Sequence, residues 1–205
     1  MKIYAAAGAI IGWLAVIAQF YLIILNRTAT VPETVVRFFS YFTILTNILV
    51  ALSFTSLLLK QGSQWRNFFS RPNVLTAIAV YITIVGVVYN VILRELWAPR
   101  GLQRLVDELL HTLIPLLFLV FWYIYVSRHA LQWKQVPSWL LYPFFYFLYV
   151  LVRGALSGFY PYPFINVKEY GYGPVLLNSL YIMCAFLSFS ALFVGVGKIR
   201  HKTLS

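Results

Sequence analysis

One histidine of this chain lies inside an apolar run, and its neighbours could turn it into a base. His111 follows Asp107 by four residues and Glu108 by three, spacings that share one helix face. Either carboxylate could hold a ring nitrogen. An imidazole with an orienting carboxylate is a general base, and a base of this kind activates a hydroxyl that is otherwise a poor nucleophile. Ser40 and Thr43 are the hydroxyls to consider, and Asn47 continues their stripe at spacings of three and four. Pro115 stands four residues after His111. A proline ring displaces the carbonyl of residue i−4, so a freed acceptor and a kink are expected at His111. Thr43 or Ser40, His111, and a carboxylate at Asp107 or Glu108 would supply the parts for acyl transfer. Donors for the developing oxyanion are also required. Asn47, Asn90, Asn178 and Arg153 are the candidates, and the sequence leaves the choice among them open.

Other chemistries have little support. The three histidines are His111, His129 and His201, and the last two are expected across the membrane from the first. A haem or a metal held by histidines is therefore not expected. Cys184 is alone, which excludes an internal disulfide and a cysteine metal cluster. No Walker or dinucleotide glycine motif occurs, and no G-x-S-x-G elbow. No cofactor and no metal are expected. The net charge of +11 is explained by basic residues in short loops and at the C-terminus, where they set topology; no nucleic-acid partner is expected.

The elements that must position these groups are membrane helices. Of 205 residues, 61% are hydrophobic and 10% charged, against about a quarter charged in a soluble domain. Mean hydropathy is +0.81. The apolar residues form runs of the roughly 20 residues a bilayer requires, without the alternation of a barrel. Six runs are read: Tyr4 to Leu25, Val35 to Leu59, Val74 to Leu93, Leu105 to Val126, Trp139 to Leu156 and Pro174 to Val196. The fold expected is all-α, one bundle of six transmembrane helices, with no cleaved leader. Placing both termini in the cytoplasm puts nine Lys and Arg inside against seven outside, and all five acids outside. Trp97, Trp133, Trp139, Tyr160, Tyr162, Tyr170 and Tyr172 then form interfacial belts.

Polar groups at membrane depth are costly and point to function. Ser40, Thr43 and Asn47 on helix two share a face. So do Thr83, Asn90 and Arg94 on helix three, and Tyr146, Tyr149, Arg153 and Ser157 on helix five. Asn178 lies near the start of helix six. At about 1.5 Å per residue, Thr43 lies roughly 12 Å and His111 roughly 9 Å from the outer ends of their helices. Polar groups from five helices would thus meet in one shallow outer layer, the default binding-site reading.

Three segments carry a resemblance. Leu110-His111-Thr112-Leu113-Ile114-Pro115 resembles the M-H-T-x-x-x-P segment of the androgen-induced and androgen-dependent membrane proteins, with the proline one residue earlier. Arg37 to Thr43 is similar to their K-[FY]-[LM]-T segment, and Ser157 to Phe164 to their T-G-x-W-V-Y-P-[FV] segment. The segments fall in the same order on the second, fourth and fifth helices. Those proteins are multi-pass threonine hydrolases of fatty acid esters of hydroxy fatty acids, and this chain resembles a bacterial-type relative. The resemblance implies His111 as catalytic histidine and Thr43 as nucleophile, or Ser40 if the basic residue sets the alignment. It further implies a lipid-ester substrate drawn from the outer leaflet.

Two rival readings stand beside it. One is a transporter or channel built on the Arg, Glu, Asp and His set; no inverted repeat and no broken helix pair is seen in the sequence to favour it. The other is a non-catalytic lipid-binding protein. Neither oligomeric state nor substrate identity follows from the sequence.

Overall fold

The computed structural model describes residues 1–96, 98–127 and 130–202, with the backbone alone for 199–202. Trp97, Arg128 and His129, and the side chains of Arg200, His201 and Lys202, lie outside the described residues. The chain is an all-α polytopic protein, without strands among the described residues. Among the described residues five helices are long and apolar enough to cross a membrane, and a sixth span results if one bent pair is counted as a single crossing.

Two compact units divide the chain, Met1–Ala130 and Leu131–Ser205. The first holds three helices that qualify as spans and the bent pair: α1 (Lys2–Leu25), α2 with α3 (Val31–Phe39 and Phe42–Leu58), α5 (Pro72–Val88), and α6 with α7 (Gly101–Glu108 and Ile114–Tyr125). The short α4 (Gln64–Phe69) lies in a loop. Helices α1, α3, α5 and α7 pack each against the next and close a ring, α7 returning to α1. The second unit pairs α8 (Val136–Ser157) with α10 (Tyr172–Lys202), with the one-turn α9 (Val167–Tyr170) between them.

Phe54, Phe118 and Phe121 are buried at the centre of the first unit, with ring centroids 5.2–5.9 Å apart. Gly8 and Gly12 of α1 make room for this packing. A β-carbon at Gly8 would stand 2.6 Å from the Phe54 ring, and one at Gly12 would stand 3.1 Å from the Ala51 β-carbon. Small residues four apart allow such an approach where lipid offers no hydrophobic drive between helices. Phe54 is walled in on its far side, so Gly8→Ala should destabilise the protein by about 1–3 kcal/mol. The SDS-unfolding midpoint in mixed micelles measures this, and an unchanged midpoint would contradict the packing described.

The second span differs from the straight helix expected over Val35–Leu59. α2 and α3 meet at a 68° bend, where Ser40 ends α2 and Tyr41 takes an extended backbone before α3. Thr43 therefore lies in the first turn of α3. The depth of roughly 12 Å, obtained by stacking eight residues on one axis at about 1.5 Å each, is replaced by this geometry. Ser40 no longer shares a helix stripe with Thr43 and Asn47. A bent helix pair, the geometry of a broken span or a re-entrant loop, is present where the sequence showed no sign of one.

Two further irregularities sit side by side. α5 ends in a π turn over Tyr89–Leu93, and α6 passes into α7 through a second π turn over Leu109–Leu113. The two turns pack against each other. Inserted turns of this kind concentrate at functional sites.

Candidate active site

The π turn before α7 follows from Pro115. In the π register residue 110 would bond residue 115, and in the α register residue 111 would do so. Residue 115 is a proline without an N–H. Two neighbouring carbonyls are left to side chains, and an unpaired carbonyl inside lipid is expensive. Asn47 Nδ2 of α3 donates to the Leu110 carbonyl at 3.2 Å, and Asn90 Nδ2 of the first π turn donates to the His111 carbonyl at 3.4 Å. The freed acceptor expected at His111 is thus occupied, and the one at Leu110 accompanies it. Gly86 lets α5 come close enough: a β-carbon there would stand 3.3 Å from the His111 oxygen.

His111 is held on three sides. Its Nδ1 lies 2.9 Å from the backbone carbonyl of Asp107 and 3.4 Å from Asp107 Oδ1. Its ring lies flat on Tyr89, with centroids 4.0 Å apart and planes 13° apart. The Tyr89 hydroxyl donates to Asp107 Oδ2. A carbonyl oxygen can only accept, so Nδ1 carries a proton, and a neutral ring would hold its lone pair on Nε2. Nε2 makes no hydrogen bond among the described residues.

The two carboxylates that sequence spacing left equivalent are now distinguished. Asp107 is buried and turned to the histidine. Glu108 pairs with Arg94 and accepts from the Thr112 hydroxyl at 2.9 Å. Arg94 also lies 5.6 Å over the Tyr89 ring. The Arg94 and Glu108 side chains keep 45% and 40% of their surface exposed, and pairs this open to solvent contribute little. Glu108→Gln should therefore cost under about 1 kcal/mol of stability and leave the His111 setting intact. A loss of stability as large as that of Asp107→Asn would contradict this division of roles.

Thr43 is buried, and its carbonyl accepts from the same Asn47 amide at 2.8 Å that bonds Leu110. One side chain thus ties the turn carrying Thr43 to the residue before His111. The carbonyl oxygen of the Asn47 amide, Oδ1, and the neighbouring Thr46 hydroxyl are buried without a protein partner. Ser40 lies beyond the bend and donates to the Val36 carbonyl at 2.7 Å.

The oxyanion candidates are placed as follows. The amides of Asn47 and Asn90 each donate to two carbonyls, Asn47 to Thr43 and Leu110, Asn90 to Gly86 and His111. Arg153 and Asn178 belong to the second unit. Ser157 donates to the Arg153 carbonyl there, and Asn178 donates to the Phe164 carbonyl at 2.9 Å. The groups brought together around His111 thus come from three spans of the first unit. Sequence reasoning missed Tyr89, which was one more aromatic residue on an apolar helix; its place directly before Asn90 was the available signal.

No family model, no curated protein and no solved structure matches the chain. Among the described residues no cluster of His, Cys, Asp and Glu is suited to a metal ion.

Proposed function

We propose that this protein is an intramembrane hydrolase of lipid esters, with Thr43 as nucleophile, His111 as base and Asp107 as its orienting group. The observation that carries the reading is the set of the imidazole. Nδ1 donates to the Asp107 carbonyl at 2.9 Å with the Asp107 carboxylate beside it, which leaves Nε2 to take a proton. This is the arrangement that general-base activation of a hydroxyl requires. The Asn47 bridge between the Thr43 and Leu110 carbonyls supports Thr43 over Ser40. Nucleophile and base are often loosely aligned until substrate binds.

The reaction conserves its atoms. Thr43 Oγ attacks the ester carbonyl while Nε2 takes the hydroxyl proton. The alcohol leaves with that proton, and the acyl group stays on Thr43. His111 then deprotonates a water, which attacks the acyl carbon, and the proton returns to Thr43 as the acid departs. A substrate drawn from the extracytoplasmic leaflet of the cell membrane fits the resemblance to threonine hydrolases of fatty acid esters of hydroxy fatty acids.

A fluorophosphonate probe tests the reading. Wild type should be labelled, and Thr43→Ala and His111→Ala should not. Absent labelling, or labelling that survives both changes, overturns the enzyme reading. Proton-coupled solute uptake by vesicles containing the unlabelled protein would put a transporter in its place.

A further inference from the structure

Tyr89 touches both members of the proposed base pair. Its hydroxyl donates to Asp107 Oδ2, while Asp107 Oδ1 stands 3.4 Å from His111 Nδ1. Its ring lies flat on the imidazole, 13° from parallel. Tyr89 is buried, and so is Asp107. The carboxylate cannot turn away from the imidazole without giving up the phenol. The backbone carbonyl of Asp107 already satisfies Nδ1–H, so the carboxylate is not needed to fix the tautomer. What remains for it is the positive charge that forms on the ring once Nε2 takes a proton. A buried carboxylate beside that charge acts with little screening.

We propose that Tyr89 is a positioning residue for the base. It clamps Asp107 so that one carboxylate oxygen stays on Nδ1, and its ring fixes the plane of the imidazole. The π turn at Tyr89–Leu93 serves this end. It shifts the helix register at the place where the ring must meet the second π turn. Tyr89 acts on catalysis only through Asp107 and His111, and it exchanges no proton or bond with the substrate. This rests on the hydrolase reading for its effect on rate, but not for its effect on the imidazole.

Full-length protein in micelles, labelled with ¹⁵N-histidine, separates the two. The Nδ1–H resonance of His111 is assigned by its loss in His111→Gln. A proton shared with a carboxylate resonates further downfield than one bonded to a carbonyl alone. Tyr89→Phe keeps the stacked ring and removes the hydroxyl, so the resonance should move upfield. Ester hydrolysis should fall roughly ten- to a hundredfold in kcat, the value of one hydrogen bond to a charged group, with KM unchanged. In an Asp107→Asn background Tyr89→Phe should cost no further activity.

A resonance and a kcat that both stay put overturn the proposal while leaving the hydrolase reading intact. A fall in kcat without movement of the resonance also overturns it, because that is the behaviour of a merely structural residue. A resonance that moves in a protein with no hydrolase activity upholds the clamp and removes the reading it was meant to serve. If Tyr89→Phe does not fold, Asp107→Asn reports from the other end: the resonance must again move upfield, and a fixed resonance overturns the clamp.

Discussion

His111→Gln should bring hydrolysis of a fluorogenic lipid ester down by on the order of 10³-fold or more, to the level of Thr43→Ala. The glutamine keeps roughly the volume of the imidazole and can bond the Asp107 carbonyl, so the fold should persist. What is lost is the lone pair at Nε2. Without a base the Thr43 hydroxyl keeps its proton and attacks poorly. The two losses should not add, because nucleophile and base act as a unit: the double variant should be no slower than either single one. Rates of wild type, both single variants and the double variant check this. A multiplicative loss in the double variant would mean that the two residues act independently.

The second large effect is expected at the carbonyls freed by Pro115. Asn47→Leu removes the donor that bonds both Thr43 and Leu110 from a fully buried position. Leaving buried acceptors unmet costs about 1–3 kcal/mol, and the link between the Thr43 turn and the His111 turn goes with it. Stability and hydrolysis should fall together. Pro115→Ala supplies the missing N–H at residue 115, so Asn47→Leu should cost measurably less in that background. A double-mutant cycle of SDS-unfolding free energies reads the coupling. Equal costs in both backgrounds would show that the asparagine does not stand in for the proline's absent donor.

Parts of this site were legible in the sequence because a local rule determines them. Pro115 announces a freed carbonyl at residue 111 from covalent geometry alone, and the asparagines that answer it were visible as polar residues on apolar helices. Asp107 and Glu108 could not be told apart, because residues three and four before a histidine share its helix face. Their roles depend on what the π turn after α5 and the residue following it bring opposite them, Tyr89 to one and Arg94 to the other. The bend at Ser40–Tyr41 left no mark: residues 38–42 contain neither proline nor glycine, and the apolar run is continuous. Depth counted along a straight axis therefore failed at Thr43. The π turn at Tyr89 is equally silent, since no proline follows it within reach. The Gly8 and Gly12 contacts could have been anticipated, because two glycines four apart on an apolar helix are a recognised signal for close helix approach. Within the first unit, helices α3 and α5 and the α6–α7 segment bring polar groups around His111, while Arg153 and Asn178 belong to the second unit.

The most direct test of the central claim is the residue that carries the probe. Wild-type protein treated with a fluorophosphonate, digested and mapped by mass spectrometry should bear a single adduct on Thr43. Ser40→Ala should be labelled at the wild-type rate. An adduct on Ser40, on any other hydroxyl, or on none would contradict the assignment of Thr43 as the nucleophile served by His111.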